Sequence, residues 1–199
     1  MDERKYYFFR GCGGNGIKFI TSLAHYNVFE KDHLIFYNPL GHSHYYLNTN
    51  GITTLDKFID NFCITDKDPY KIICNTNEVY TYISIDNDLS RKFTLLNHFL
   101  KLPNLGGLIK TEEKFNQFYK YQDKSLSKAE TSVDSIYNLE FADIYRNKKK
   151  VIDFIETLTQ KTSNQMLEVN YDRYIELQRK ILIEKAPWFY YGEGKYYFT

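Results

Sequence analysis

A chain of 199 residues can bury a sizeable core, so the sequence is not a small scaffold that needs disulfide or metal staples. Apolar residues at 43% and charged residues at 26% are the balance of a globular protein. A net charge of +1 excludes a polyanion-binding tail and argues against a general nucleic-acid binder.

Aromatic residues reach 18%, but tyrosine serves cores and binding surfaces alike and selects no function. Cys12, Cys63 and Cys74 are too far apart for a metal-ligand spacing, so reduced thiols in a cytoplasmic setting are expected. No run approaches a membrane span, and the opening MDERKYYFF lacks the apolar core of a signal peptide. The expectation is one soluble α/β domain over 1–199, in a cytoplasm or packaged in a virion. Its C-terminal part is expected to be helical over about 142–186, with an aromatic tail over 187–199.

In chain order, Lys5 to Phe9 reads as a buried central strand, followed by a glycine loop and a helix over Ile17 to Tyr26. Ile17, Ile20, Leu23 and Ala24 lie on one face of that helix. HLIFYN, His33 to Asn38, reads as a second strand stopped by Pro39, with a polar loop to Gly51. Thr53 to Phe62 carries Leu55, Phe58, Ile59 and Phe62 at helical spacing. Tyr70 to Asn75 and Val79 to Ile85 read as strands, close enough to pair or to share a sheet. A helix capped at Asp88 is expected to about Leu102, then a break at PNLGG and a polar helix from Leu108 to Ser127. Ile136 to Phe141 is a last strand. Two amphipathic helices follow, the first with Val151, Ile152, Phe154, Ile155 and Leu158 facing inward and the second ending near Pro187. The tail WFYYGEGKYYFT adds an edge strand or packs over the core. Alternating strands and helices argue for a three-layer α/β fold with a mostly parallel sheet flanked by helices.

The sharpest motif is the glycine loop. Gly11-Cys12-Gly13-Gly14-Asn15-Gly16 matches G-x-G-x-x-G between a strand and a helix. A dinucleotide site also wants an acid at the end of the second strand, and Asn38 stands there. A Walker A loop wants Lys then Ser or Thr after its last glycine, and Ile17, Lys18 and Phe19 do not supply that order. What remains is an anion site on backbone N–H groups at a helix N-terminus, supported by Lys18 and Arg10, or else a tight turn with no ligand. The basic run Arg146 to Lys150 reads as a solvated helix face.

Three stretches together resemble the sulfotransferase-like P-loop proteins, in the short form found in marine phages. These are FFRGCGGNGIKFITSLAHY, VYTYISIDNDLSRKFTLLNHFLKL and the late run from NLEFADIYRNKKK to the last long helix. The resemblance implies a P-loop/sulfotransferase-like fold. It also implies a transferase that passes a sulfuryl group from 3′-phosphoadenosine 5′-phosphosulfate to a hydroxyl or amine acceptor. Carried onto this chain, it places the donor on Gly11, Gly13, Gly14, Asn15, Gly16 and Lys18, with Ser90 and Arg91 at its 3′-phosphate. Lys18 would stabilise the leaving phosphate, and His42 or His44 would take the acceptor's proton. No metal is expected. The loop lacks the family's hydroxyl residues, and ISIDND lacks its arginine. Two alternatives therefore stand beside this one: a non-catalytic phage structural or host-interaction protein on a degenerate sulfotransferase-like fold, and a nucleotide-binding enzyme of adenylating or dinucleotide type based on the GCGGNG loop. The partners expected are a nucleotide donor and its acceptor, with no nucleic acid and no membrane. The aromatic tail, Trp188 to Tyr197, is either a protein-partner surface or a cover on the core.

Overall fold

A computed structural model describes the backbone of residues 7–12, 14–40, 46–47, 59–64, 69–72, 79–85, 87–101, 109–129 and 135–199. Side chains are described for 14–40, 83–85, 87–101, 109–120 and 137–199.

Strand β1 (Tyr7–Cys12) runs into helix α1 (Ile17–Phe29). Strands β2 (Tyr46–Leu47), β3 (Ile59–Ile64), β4 (Pro69–Ile72) and β5 (Val79–Ser84) follow, then helices α2 (Asp88–Leu100) and α3 (Glu112–Ala129). Strand β6 (Ser135–Glu140) passes directly into the short helix α4 (Phe141–Arg146). Helices α5 (Lys148–Thr159), α6 (Gln165–Lys185) and α7 (Pro187–Tyr191) complete the chain with a 3-10 segment, Gly194–Phe198.

The three-layer, mostly parallel, P-loop/sulfotransferase-like architecture expected from the sequence is overturned. Helix predominates wherever side chains are described, and there the only strands form one parallel pair, β5 with β6. The strand order is β2-β4-β3-β1-β5-β6. β1 is parallel to β5 but antiparallel to β3, and β3 is antiparallel to β4. A wholly parallel order would need a crossover between each pair of strands. Here β3 and β4 form an antiparallel pair on one flank of β1 instead.

Two local misreadings produce the difference. Ile59–Ile64 is a strand, paired residue for residue with β1 from Tyr7↔Ile64 to Cys12↔Ile59, where helical spacing had suggested a helix. Short apolar runs fit both periods, and pairing with β1 decides the matter. His33 to Asn38 is not a strand but a 3-10 turn at Leu34–Phe36. The His33 ring accepts the Ile35 N–H at 3.2 Å and caps that turn, so Ile35 and Phe36 go inward while Leu34 and Tyr37 stay exposed. Two in and two out matches no strand period.

Other elements stand near their expected places. Ile17, Ile20, Leu23 and Ala24 on α1 are buried, as are Val151, Ile152, Ile155 and Leu158 on α5. Asn87, one residue before the expected Asp88, caps α2 by accepting the Ser90 N–H at 2.8 Å. The tail adds no strand. α7 and the 3-10 segment fold over the core, burying Phe189 and Tyr197 beside Phe93. No described helix is long and apolar enough to cross a membrane.

Candidate functional site

β1 delivers the glycine loop to the carboxyl edge of the three mutually parallel strands, β1, β5 and β6. Ligands of open α/β sheets bind at that edge. The Cα sides of Gly14 and Gly16 lie close against other elements. Gly14 has φ +94, and a Cβ there would lie 2.1 Å from the Thr94 carbonyl oxygen and 2.8 Å from the His98 nitrogen. The backbone of α2 therefore rests directly on the loop. Gly16, φ +84, precedes α1 and faces the Ile144 Cδ1 of α4, which a Cβ would approach to 3.1 Å.

Asn15 is fully buried between them. Its Nδ2 donates to the Ile83 carbonyl of β5 at 3.4 Å, and its Oδ1 accepts the Ile17 N–H at 3.1 Å. The first N–H of α1, which a bound anion would otherwise take, is held by the loop's own side chain. Gly14, Asn15 and Gly16 thus join α2, β5 and α4 to the start of α1.

The junction is braced by polar residues that the sequence reading did not single out. Asn97 Nδ2 lies 3.3 Å from the Gly14 oxygen and 3.2 Å from the Tyr145 hydroxyl. Asn97 Oδ1 accepts from Gln178 Nε2 at 2.7 Å. Tyr145 is also hydrogen-bonded to Tyr174, which stacks on Phe19 at 3.7 Å between centroids. Burial first, and then the Tyr174 neighbour, hold the Tyr145 hydroxyl well above its ordinary pKa, while burial pushes Tyr174 up to about 12. Both are neutral hydrogen-bonding groups at any ordinary pH. The available signal was an Asn inside the apolar run LLNHFL and a Gln inside α6.

The other candidates do not gather at this junction. Gly11 belongs to β1, opposite Asp60 of β3, and Gly13, His42 and His44 lie outside the described residues. Lys18 is half-buried on α1. Burial, then the charge of Lys18, then His25 lower the pKa of His33 to about 4, so the Lys18 charge is felt at the turn after α1. Ser90 is fully buried, its Oγ hydrogen-bonded to the Tyr197 hydroxyl at 2.8 Å. The residue expected at a 3′-phosphate therefore lies beneath the tail. Arg91 is half-buried on α2, and its charge helps lower the pKa of nearby Asp88, chiefly set by the Tyr119 hydrogen bond.

Beside the junction lies a polar groove of about 360 Å³, lined by Glu140, Asp143, Arg146, Asn147, Tyr196 and Thr199. The sequence builds it from three turns. β6 ends at Glu140 and α4 starts at once, with Phe141, Ile144 and Tyr145 inward and Arg146 outward. Asn147 closes α4 and caps α5, accepting the Lys150 N–H at 3.0 Å. Tyr197 goes into the core, which leaves the adjacent Tyr196 ring outside, 3.9 Å from the Arg146 guanidinium carbon.

The basic run divides accordingly. Lys148 pairs with Glu168 and Asp172, Lys149 with Asp153, and Lys150 with Asp143. Arg146 is held by an aromatic face and the Tyr196 hydroxyl rather than by a carboxylate. Among the described residues no three His, Cys, Asp or Glu side chains are placed to share a metal ion.

Compared with known proteins, the chain matches no family model, no curated protein and no solved structure.

Proposed function

We propose that this chain is a non-catalytic binding protein, which keeps the host-interaction part of the second reading of its sequence and drops the sulfotransferase-like fold. The observation that supports it most is the Gly14 contact: the α2 backbone packs against the Cα of Gly14, which gives that glycine a packing role that needs no ligand. Sulfuryl or phosphoryl transfer depends on donors aimed at the developing charge in an open cavity. Here Asn15 takes the first N–H of α1, and Ser90 is bonded to the tail. The adenylating and dinucleotide readings lean on the same loop and meet the same packing. The groove at the end of β6 is the surface offered for binding.

The test is calorimetric titration of the protein with 3′-phosphoadenosine 5′-phosphate, ATP and NAD. The expected result is no saturable binding at millimolar nucleotide. Micromolar binding of any of the three, lost in Lys18→Ala, would return the loop to a donor-binding role.

A further inference from the structure

The groove carries its charges at two ends of one short helix. Glu140 immediately precedes α4 and Arg146 is its last residue, and both are exposed. A helix of six residues spans about 9 Å at 1.5 Å per residue. The nearer carboxylate, Asp143, lies only 2.5 Å from the Lys150 ammonium, which neutralises it. That leaves the Glu140 carboxylate, which acts on the Lys150 ammonium only through space, and the Arg146 guanidinium lining the groove.

Tyr196 sets what Arg146 can do. Stacking on the ring fixes the guanidinium plane and lowers the entropy lost when its N–H edge takes a ligand. Nη1 is given to the Tyr196 hydroxyl, so a planar carboxylate would take two parallel bonds from the Nε and Nη2 edge. A phosphate dianion is less suited, because Glu140 shares the groove and repels it. Glu140 in turn calls for a cation or a strong donor on the same ligand.

Resting on the reading of the chain as a binding protein, we propose that this groove binds a mixed-charge peptide segment. An acidic side chain is clamped by Arg146 on Tyr196, and a basic side chain reaches Glu140. At about 3.3 Å per extended residue, side chains three residues apart on a peptide match the about 9 Å axial offset between the Glu140 and Arg146 backbone positions.

The proposal is tested by titrating the isotope-labelled full chain with the blocked peptide acetyl-Asp-Ala-Ala-Lys-amide and following the signals of Arg146, Glu140 and Lys18. Saturable shifts at Arg146 and Glu140 are expected. Affinity should fall about tenfold, or roughly 1.4 kcal/mol, when the peptide Asp is replaced by Asn. The variant Arg146→Gln should no longer distinguish the two peptides, while Tyr196→Phe, which keeps the ring, should still do so. Equal binding of the Asp and Asn peptides, tighter binding of inorganic phosphate, or no shift at Arg146 would each overturn the proposal. Shifts at Lys18 on adding nucleotide would instead mark failure of the binding-protein reading, so the two failures are separable.

Discussion

At the scale of single residues, Gly14 is a packing position. Gly14 needs a positive φ and also the absence of a Cβ, because the Thr94 carbonyl stands where the carbon would be. A Gly14→Ala variant combines left-handed strain with a backbone clash that no rotamer relieves, and should lose roughly 3–5 kcal/mol of stability. Urea unfolding checks this, and a loss below about 1 kcal/mol would mean that α2 does not rest on the loop. His33 gives a pH signature. Its pKa is lowered in the fold to about 4 from an ordinary 6.5, so the folded state favours the neutral ring. The stability it contributes is complete above pH 6.5 and disappears as the pH falls towards 4. The full loss is on the order of 3 kcal/mol. His33→Asn keeps an acceptor for the Ile35 N–H and removes the titration. Its melting temperature should therefore fall less than the parent's between pH 6.5 and 5. Parallel slopes would show that His33 is not buried beside Lys18 and His25.

At the scale of elements, the sequence was legible where one period dominates over several turns. α1, α2, α5 and α6 each carry an apolar face long enough to exclude a strand, and each lies within a few residues of its expected place. It was not legible where the decision is made by a partner distant in the chain. The first four residues of β3, Ile59 to Phe62, read as the end of a helix until β1 is set beside them, and that one exchange turns a parallel sheet into a mixed one. α4 is too short to show a period and was absorbed into the preceding strand and the following basic run. The site suffers the same limit. G-x-G-x-x-G states that the backbone approaches something closely, but not whether that neighbour is a phosphate or another helix. At Gly14 one such neighbour is the Thr94 carbonyl, and no spacing in the sequence connects residues 14 and 94. Arg146 was legible only as one member of a basic run. Its difference from the three lysines depends on where Tyr196 lands, 50 residues later.

At the scale of the whole molecule, the aromatic tail is part of the core and not an appendage to it. Tyr197 lies against Phe93, Phe141 and Tyr145, and its hydroxyl meets Ser90 on α2. Trp188 donates its indole N–H to the Ile109 carbonyl and packs on Phe115 of α3. The tail therefore ties α2, α3 and α4 together, and unfolding should be one cooperative event that includes it. Because the chain has 1 Trp, fluorescence reports on Trp188 and hence on tail docking. Trp emission and far-ultraviolet circular dichroism should give the same urea midpoint. Tyr197→Ala should move both midpoints down together, by roughly 3–5 kcal/mol, and Tyr197→Phe by about 1 kcal/mol for the lost hydrogen bond. A Trp transition that precedes the loss of helix would mean that the tail undocks by itself. In that case Tyr196 would leave Arg146 before the fold opened, and the groove would depend on a closure that the packed tail otherwise makes permanent.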